Sequence, residues 1–171
     1  MQRLAQVLVL LCIVALAGCE QNNAMTESTT KSEPVVNHSI GNLDHLIALP
    51  AEPESVKWSR TKTAGRGGDS GLVAVFRFSQ EDYESILKRS NGREVVGDAI
   101  VNQSFYDKWV PEEVKENLAG ELHADGESIV LVGRPSLKPN LFVNKETSSP
   151  YIHGNVYPLG MGYIALGLYT M

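Results

Sequence analysis

The sequence contains little cysteine and no excess of basic residues. Two cysteines among 171 residues exclude the disulfide-dense folds of small secreted proteins. Fifteen Lys and Arg residues stand against 20 Asp and Glu residues, so the chain lacks the concentrated positive charge that nucleic-acid binding requires. With 43% hydrophobic and 20% charged residues, the composition also excludes collagen-like, coiled-coil and fully disordered chains. The length suits one globular domain, and no nucleic-acid partner is expected.

The close spacings that mark catalytic and metal sites are also missing. The four histidines, His38, His45, His123 and His153, follow no His-x-x-x-His or similar ligand pattern. A zinc site needs three or four converging ligands, and no cysteine completes such a set. No companion motif places a base beside a candidate nucleophile. We therefore predict no catalytic and no metal-ligating residues from the sequence.

The one long apolar run lies at the amino terminus. It occupies residues 4–16, with one interruption, and follows a single positive charge at Arg3. These are the parts of a secretory signal, and the run is too short to span a bilayer as a helix. The run ends in Leu-Ala-Gly-Cys at residues 16–19, which resembles the lipobox of bacterial lipoproteins. The resemblance implies cleavage between Gly18 and Cys19 and a diacylglycerol on the Cys19 thiol.

A lipobox has consequences for location. Residues 1–18 would be a lipoprotein signal peptide that is removed, and the only expected cofactor is the covalent lipid on Cys19. Several acyl chains on one cysteine hold a protein at a membrane where a single chain binds only marginally. The resemblance therefore implies a lipid-anchored protein of the cell envelope. If the host is Gram-negative, Glu20 in place of the family's Asp retention signal implies the outer membrane, facing the periplasm.

The mature chain divides into a tether and a domain. Residues 19–39 comprise the lipidated cysteine and a polar stretch without hydrophobic periodicity. Such a stretch buries too little apolar surface to offset the entropy of ordering it, so we expect a flexible tether. Residues 40–171 are left for one globular domain. This domain contains no cysteine, so its stability must come from a hydrophobic core alone.

Alternating and helical patterns place the domain in the α+β class. Residues 72–78 alternate two sets of side chains, which is typical of a strand. Ser79 and Asp82 form a capping box that begins a helix, and residues 104–118 predict helix in two pieces. After Gly126 the pattern is strand-like, including residues 141–143. This order predicts a single α+β domain with a mostly antiparallel or mixed sheet, two to three helices on one face and a C-terminal β-hairpin.

The C-terminal hairpin is predicted from two tyrosine-rich strands. Residues 151–157 and 163–169 flank a five-residue connection with two glycines. If opposite residues pair symmetrically about that connection, one face of the hairpin carries every second side chain of both strands. The predicted pairs are Tyr151 with Tyr169, His153 with Gly167, Asn155 with Ala165, and Tyr157 with Tyr163.

This face is the best site candidate that the sequence offers. Gly167 and Ala165 would form its floor, and a possible binding face would consist of Tyr151, His153, Asn155, Tyr157, Tyr163 and Tyr169. Tyrosine combines apolar area with a hydroxyl, so such a face suits a sugar ring, a peptide or a partner protein. The alternative is that the face packs under the helices or a neighbouring strand, with the tyrosine hydroxyls reaching water.

Three functional hypotheses follow. The first is a non-enzymatic, membrane-tethered envelope lipoprotein that binds a protein, peptide or glycan partner. The second is a small envelope hydrolase that acts on cell-wall material, with His153 and an unidentified carboxylate as its acid and base. The third is an accessory subunit whose hairpin extends the sheet edge of another protein.

Overall fold

The computed structural model describes residues 34–62, 70–90, 97–145 and 150–170. All of them belong to one unit that spans residues 33–171. The predicted signal peptide 1–18, Cys19 and most of the predicted tether lie outside the described residues. None of the described helices has the length and apolar character needed to cross a bilayer.

The described chain contains strands at both ends and helices between them. The helices are α1 (Gln80–Ser90), α2 (Gln103–Trp109) and α3 (Glu112–Leu118). A 3₁₀ turn occupies Gly41–Leu43. The strands are β1 (Val36–Asn37), β2 (Ser55–Lys62), β3 (Ser70–Arg77), β4 (Asp98–Asn102), β5 (Leu122–Asp125), β6 (Ser128–Pro135), β7 (His153–Gly160) and β8 (Tyr163–Tyr169).

The strands form two sheets in which all neighbours are antiparallel. A five-stranded sheet has the order β1-β2-β3-β8-β7, and a three-stranded sheet has the order β4-β6-β5. The last two strands form the C-terminal hairpin. The α+β class, the antiparallel pairing and the C-terminal hairpin are therefore confirmed.

The central strand β3 defines the two faces of the larger sheet. Leu72, Ala74 and Phe76 point into one hydrophobic cluster, and we call their side the first face. Val75 points into a separate cluster on the opposite side, which we call the second face. Successive side chains of a strand point to opposite faces, so the alternation read from residues 72–78 is confirmed.

The first face is covered by α1 and by two irregular segments. Tyr83 and Ile86 of α1 pack into its cluster together with Ile47 and Phe142. Phe76 stacks on Phe142 with 5.8 Å between the ring centroids. The first face of the larger sheet is therefore buried under a hydrophobic core.

The second face is covered by the smaller sheet and the other two helices. Tyr106 of α2, Val114 and Leu118 of α3 and Leu131 of β6 pack against the β3 and β8 side chains there. The prediction placed the helices on one face, whereas α1 belongs to the first face and α2 and α3 to the second. The helices lie on opposite faces because the larger sheet has apolar side chains on both of its faces, and each set needs a cover.

Helix α1 begins as the capping box predicts. The Ser79 hydroxyl accepts a hydrogen bond from the Asp82 backbone N–H at 3.1 Å and donates one to the Asp82 carboxylate at 2.8 Å. This satisfies one of the backbone donors that every helix start leaves unpaired. The predicted end of the helix at Asn91 and Gly92 lies outside the described residues.

Two parts of the strand prediction are wrong. Residues 141–143 form a turn, because the Pro139 carbonyl accepts hydrogen bonds from the backbone N–H groups of Phe142 and Val143 at 2.8 and 3.1 Å. Their apolar side chains pack against the core without a strand partner. Strand β5 was not predicted, because its side chains are mostly exposed and show no apolar alternation.

The larger sheet includes residues before position 40. Val36 and Asn37 pair with Ser59 and Trp58 of β2. The Trp58 indole Nε1–H also donates a hydrogen bond to the Ser39 carbonyl at 2.8 Å. The last residues assigned to the tether thus lie along the edge of the larger sheet.

Candidate functional site

The hairpin register differs from the predicted one by two residues. Strand β7 continues to Gly160, with a bulge before it, and β8 starts at Tyr163, so the connection is a tight turn at Met161 and Gly162. Both turn residues have positive φ, 54° and 81°, which is the geometry of the preferred two-residue hairpin turn. The predicted five-residue connection was too long because the predicted strand ends at Tyr157, whereas the backbone pairing continues to Gly160.

A shift of two residues leaves the side-chain faces unchanged. His153 now lies opposite Tyr169, Asn155 opposite Gly167, and Tyr157 opposite Ala165. The pairing continues through β3 to β2, so the second face carries aligned rows of four residues. We call them the covered row (Lys57, Val75, Ala165, Tyr157), the middle row (Ser59, Val73, Gly167, Asn155) and the outer row (Thr61, Gly71, Tyr169, His153).

Tyr151 does not belong to the predicted binding face. It precedes β7, is fully buried and packs into the first-face cluster. The Arg60 Nε–H donates a hydrogen bond to the Tyr151 hydroxyl at 3.1 Å. Tyr151 was assigned to the wrong face because side chains alternate between faces only within a strand, and β7 begins at His153.

Tyr163 lies on the second face but is buried between the layers. Its hydroxyl donates a hydrogen bond to the Glu113 carboxylate at 2.7 Å, which ties β8 to α3. Burial raises the pKa of Tyr163, and the hydrogen-bonded Glu113 carboxylate raises it further. The same hydrogen bond lowers the pKa of Glu113. The alternative, in which this face packs under helices, therefore applies to Tyr163.

An apolar groove opens where the cover over the second face ends. Its volume is about 180 Å³. One side is the sheet face around Tyr157 and Gly167, and the other is the layer formed by β4 and α2. The lining residues are Val73, Ile100, Val101, Asn102, Phe105, Tyr157, Leu166 and Gly167. We call this feature the groove.

Gly167 leaves the floor of the groove open. A Cβ atom built on this residue would meet no heavy atom within 4 Å, so the space above it is unoccupied by the described chain. Ala165, the other predicted floor residue, is fully buried under the second-face cluster. The predicted shelf is thus reduced to the part that includes Gly167 and the residues beyond it.

Polar side chains stand beside the groove. Tyr157 is half-buried, and burial raises the pKa of its hydroxyl, while a hydrogen bond with the Asn155 side chain acts in the opposite direction. His153 stacks on Tyr169 with 5.7 Å between ring centroids. Tyr169 is 52% exposed, so it presents an aromatic edge to solvent. Of the predicted face, the structure therefore brings His153, Asn155, Tyr157 and Tyr169 together.

Two buried polar atoms on the second face have no hydrogen-bond partner among the described residues. They are the Ser59 hydroxyl oxygen, in the middle row, and the His153 Nε2, in the outer row. Buried polar atoms are nearly always satisfied, and an exception in a native protein calls for an explanation such as a bound water or ligand. Both lie in the middle and outer rows, none of whose residues belongs to the second-face cluster.

The described residues hold no group of three or more His, Cys, Asp or Glu side chains suited to a metal ion. Among the ion pairs in the same part of the chain, none joins a carboxylate to His153. General acid and base chemistry needs groups within hydrogen-bond reach of each other or of a substrate. The arrangement can bind through apolar contact, amide groups and an imidazole.

A larger cavity of about 430 Å³ lies between α1 and β6. Its charged residues Arg134 and Glu121 bind each other, with 2.7 Å between the Arg134 Nε and the Glu121 Oε2. The Tyr83 hydroxyl in its wall accepts a hydrogen bond from the Gly160 backbone N–H at 3.2 Å. These polar groups are occupied within the fold, whereas the groove beside Gly167 adjoins unsatisfied ones.

Sequence reasoning missed the wall of the groove. Ile100, Asn102 and Phe105 come from β4 and α2, and no local pattern places them opposite the hairpin. The one available signal was the alternation in β4, where Ala99 and Val101 are buried and Ile100 is exposed. A single exposed isoleucine is common on protein surfaces, so this alternation does not locate the groove by itself.

Comparison with known proteins adds no further assignment. No protein-family model, no curated protein and no solved structure matches this chain.

Proposed function

We propose that this protein is a membrane-tethered lipoprotein of the cell envelope whose domain binds a protein, peptide or glycan partner. The groove over Gly167 is the observation that carries the binding role. It combines an open apolar floor with polar groups beside it, which is the usual composition of recognition sites. Lipid on Cys19 would hold the domain at the membrane surface, facing the periplasm on the outer membrane of a Gram-negative host.

The hydrolase alternative has less support. His153 stacks on Tyr169, and no carboxylate of the described chain forms an ion pair with it. A hydrolytic site needs a second titratable group that acts on the same substrate atom or its leaving group. A binding domain needs only the contacts that the groove and its neighbours offer.

The tether is tested by replacing the lipobox cysteine. We expect wild-type protein, made in a bacterium that processes lipoproteins, to lack residues 1–18 and to carry a diacylglycerol on Cys19. The Cys19→Ala variant should remain unlipidated and leave the membrane fraction, because no acyl chain is attached. Intact-mass measurement and membrane fractionation of both proteins give the result. An unmodified, freely soluble wild type would contradict the lipoprotein assignment.

The binding role is tested by photocrosslinking in the intact envelope. A photoreactive benzophenone amino acid replaces Tyr169, beside the groove, or Met161, at the opposite end of the hairpin. Both native residues are 52% exposed, so the two probes are matched in accessibility. We expect a discrete adduct from position 169 that disappears when Gly167→Leu fills the groove, and no such adduct from position 161.

Equal adduct patterns from the two positions would count against the groove as the binding site, as would an adduct from position 169 that persists in Gly167→Leu. The variant is suited to this purpose because Gly167 has open space above it. The circular dichroism spectrum and thermal transition of Gly167→Leu must show that the variant is folded, so that a lost adduct reflects the filled groove.

A further inference from the structure

The sheet edges of this domain differ in how they are protected. On β7, Leu137 forms a bridge with Val156, with two backbone hydrogen bonds of 2.9 and 2.8 Å, and Pro158 has no N–H to offer. β1 is only two residues long. β5 has only four residues, and its two polar side chains, His123 and Asp125, are exposed. Bridges, prolines, charges and short length are the known means by which proteins prevent edge pairing.

Strand β4 is protected only at its start, where Asp98 carries a charge and the pairing with β6 shifts register between Asp98 and Ala99. It is the other edge of the three-stranded sheet, and within the described residues its only strand neighbour is β6. It is five residues long, and Asp98 at its start is its only charge. The Asp98 carboxylate accepts a hydrogen bond from the Gly133 N–H at 3.2 Å, so it is directed towards β6 rather than along the free edge.

The backbone direction in β4 follows from one hydrogen bond. The Gln103 N–H donates to the Glu127 carbonyl at 2.7 Å, and Asn102 lies opposite Ser128. In an antiparallel pair, hydrogen-bonded residues alternate with residues whose backbone groups point the other way. The N–H and C=O groups of Ile100 and the N–H of Asn102 therefore point away from β6, towards the free edge. The Asn102 C=O belongs to the start of α2, because Asn102 is the N-cap of that helix.

This free edge borders the groove. Residues 100–102 form part of the groove wall, opposite Gly167 and Tyr157. None of the lining residues carries a charged side chain, so charge complementarity requires an uncharged group in the groove. Its volume of about 180 Å³ is below the roughly 300–1,000 Å³ of ligand pockets and suits a single apolar side chain.

We propose that β4 takes up an extended peptide segment of a partner protein as an additional strand. The segment would exchange backbone hydrogen bonds with Ile100, would accept one from the Asn102 N–H, and would place one uncharged, apolar side chain in the groove above Gly167. Such strand addition obtains affinity from the main chain and specificity from side-chain pockets. The inference rests on the proposed binding function and names its partner class. A glycan lacks the regular spacing of N–H and C=O groups that a strand edge recognises.

The test begins with random decapeptides displayed on phage and selected on the detergent-solubilised mature protein. Selected sequences, made as synthetic peptides, should show apolar residues at alternate positions, because only every second side chain of a strand faces the groove. Affinity is then measured by fluorescence polarisation for wild type and three variants. Gly167→Leu fills the groove, Ile100→Pro removes an outward N–H without breaking the β6 pairing, and Ile100→Val is the matched control.

We expect Gly167→Leu and Ile100→Pro each to weaken binding at least tenfold and Ile100→Val to stay within about threefold, a factor below 1 kcal/mol. A second measurement needs no variant. Bound peptide should slow hydrogen exchange of the Ile100 and Asn102 amides at least tenfold, because these donors acquire acceptors.

Each contrary outcome has a distinct meaning. If Ile100→Pro binds as well as Ile100→Val while Gly167→Leu does not, edge pairing is wrong and groove binding stands. If no peptide is selected but the position 169 adduct remains dependent on Gly167, the partner is not a peptide strand. If light scattering shows a dimer that Ile100→Pro abolishes, the edge pairs with a second copy and the partner assignment is overturned. If neither peptide nor adduct depends on Gly167, the binding function fails as well.

Discussion

Replacing Gly154 with alanine is expected to lower the free energy of unfolding by about 3 kcal/mol or more. Gly154 has a φ of +138°, which side chains of L-residues rarely adopt. A Cβ atom there would lie 1.9 Å from the Gly167 carbonyl oxygen and 2.8 Å from the Leu168 Cα. Both atoms belong to the backbone of β8, so no side-chain rotation relieves the collision. The strands of the hairpin must separate locally.

The same hairpin supplies the control. Gly167→Ala places its Cβ in open space, with no heavy atom within 4 Å. Its stability should match wild type or exceed it by up to about 1 kcal/mol, because alanine restricts the unfolded chain. Urea denaturation followed by tryptophan fluorescence compares the three proteins. Equal stability of Gly154→Ala and Gly167→Ala would show that β7 does not approach β8 as described.

Replacing Phe76 with alanine is expected to cost about 3–5 kcal/mol, which is a large part of the stability of a typical domain. Phe76 is fully buried in the central strand and stacks on Phe78 and Phe142 at centroid distances of 5.7 and 5.8 Å. Alanine would remove the ring that joins the sheet to the turn at residues 139–143. The loss includes the transfer of apolar surface and the cavity that neighbouring side chains fail to fill.

Thermal unfolding by differential scanning calorimetry measures this effect. Val132→Ala serves as the control, because Val132 is also an apolar strand residue but lies exposed on β6. Its unfolding temperature should stay close to that of wild type, since surface substitutions usually change stability by less than about 0.5 kcal/mol. A similar loss in both variants would mean that the first-face cluster is not the main core.

Local patterns predicted the elements well where the pattern and the element coincide. The capping box at Ser79 and Asp82 forms the hydrogen bonds that its residue types suggest. The two helical pieces after β4 are separated at Val110 and Pro111, and Val114 and Leu118 face the core. In each case the deciding interactions lie within a few residues of one another, so the sequence contains the relevant information.

The site could be predicted only in part. The predicted register was wrong by two residues, but a shift of two keeps every side chain on the same face. His153, Asn155, Tyr157 and Tyr169 therefore do share one side of the hairpin. Their surroundings did not follow from the same pattern. Tyr151 is buried on the first face, and Tyr163 lies under α3 with its hydroxyl on Glu113. Alternation gives the direction of a side chain and says nothing about what covers it.

The sequence by itself determined the α+β class, the hairpin and the faces to which the side chains of β3 and β8 point. Only the tertiary structure decided how far the second layer extends over the larger sheet and where Ile100 meets Gly167. The reason is physical. Side-chain direction depends on the dihedral angles of the local chain, whereas a groove depends on the distance between segments that are far apart in sequence and packed by other residues.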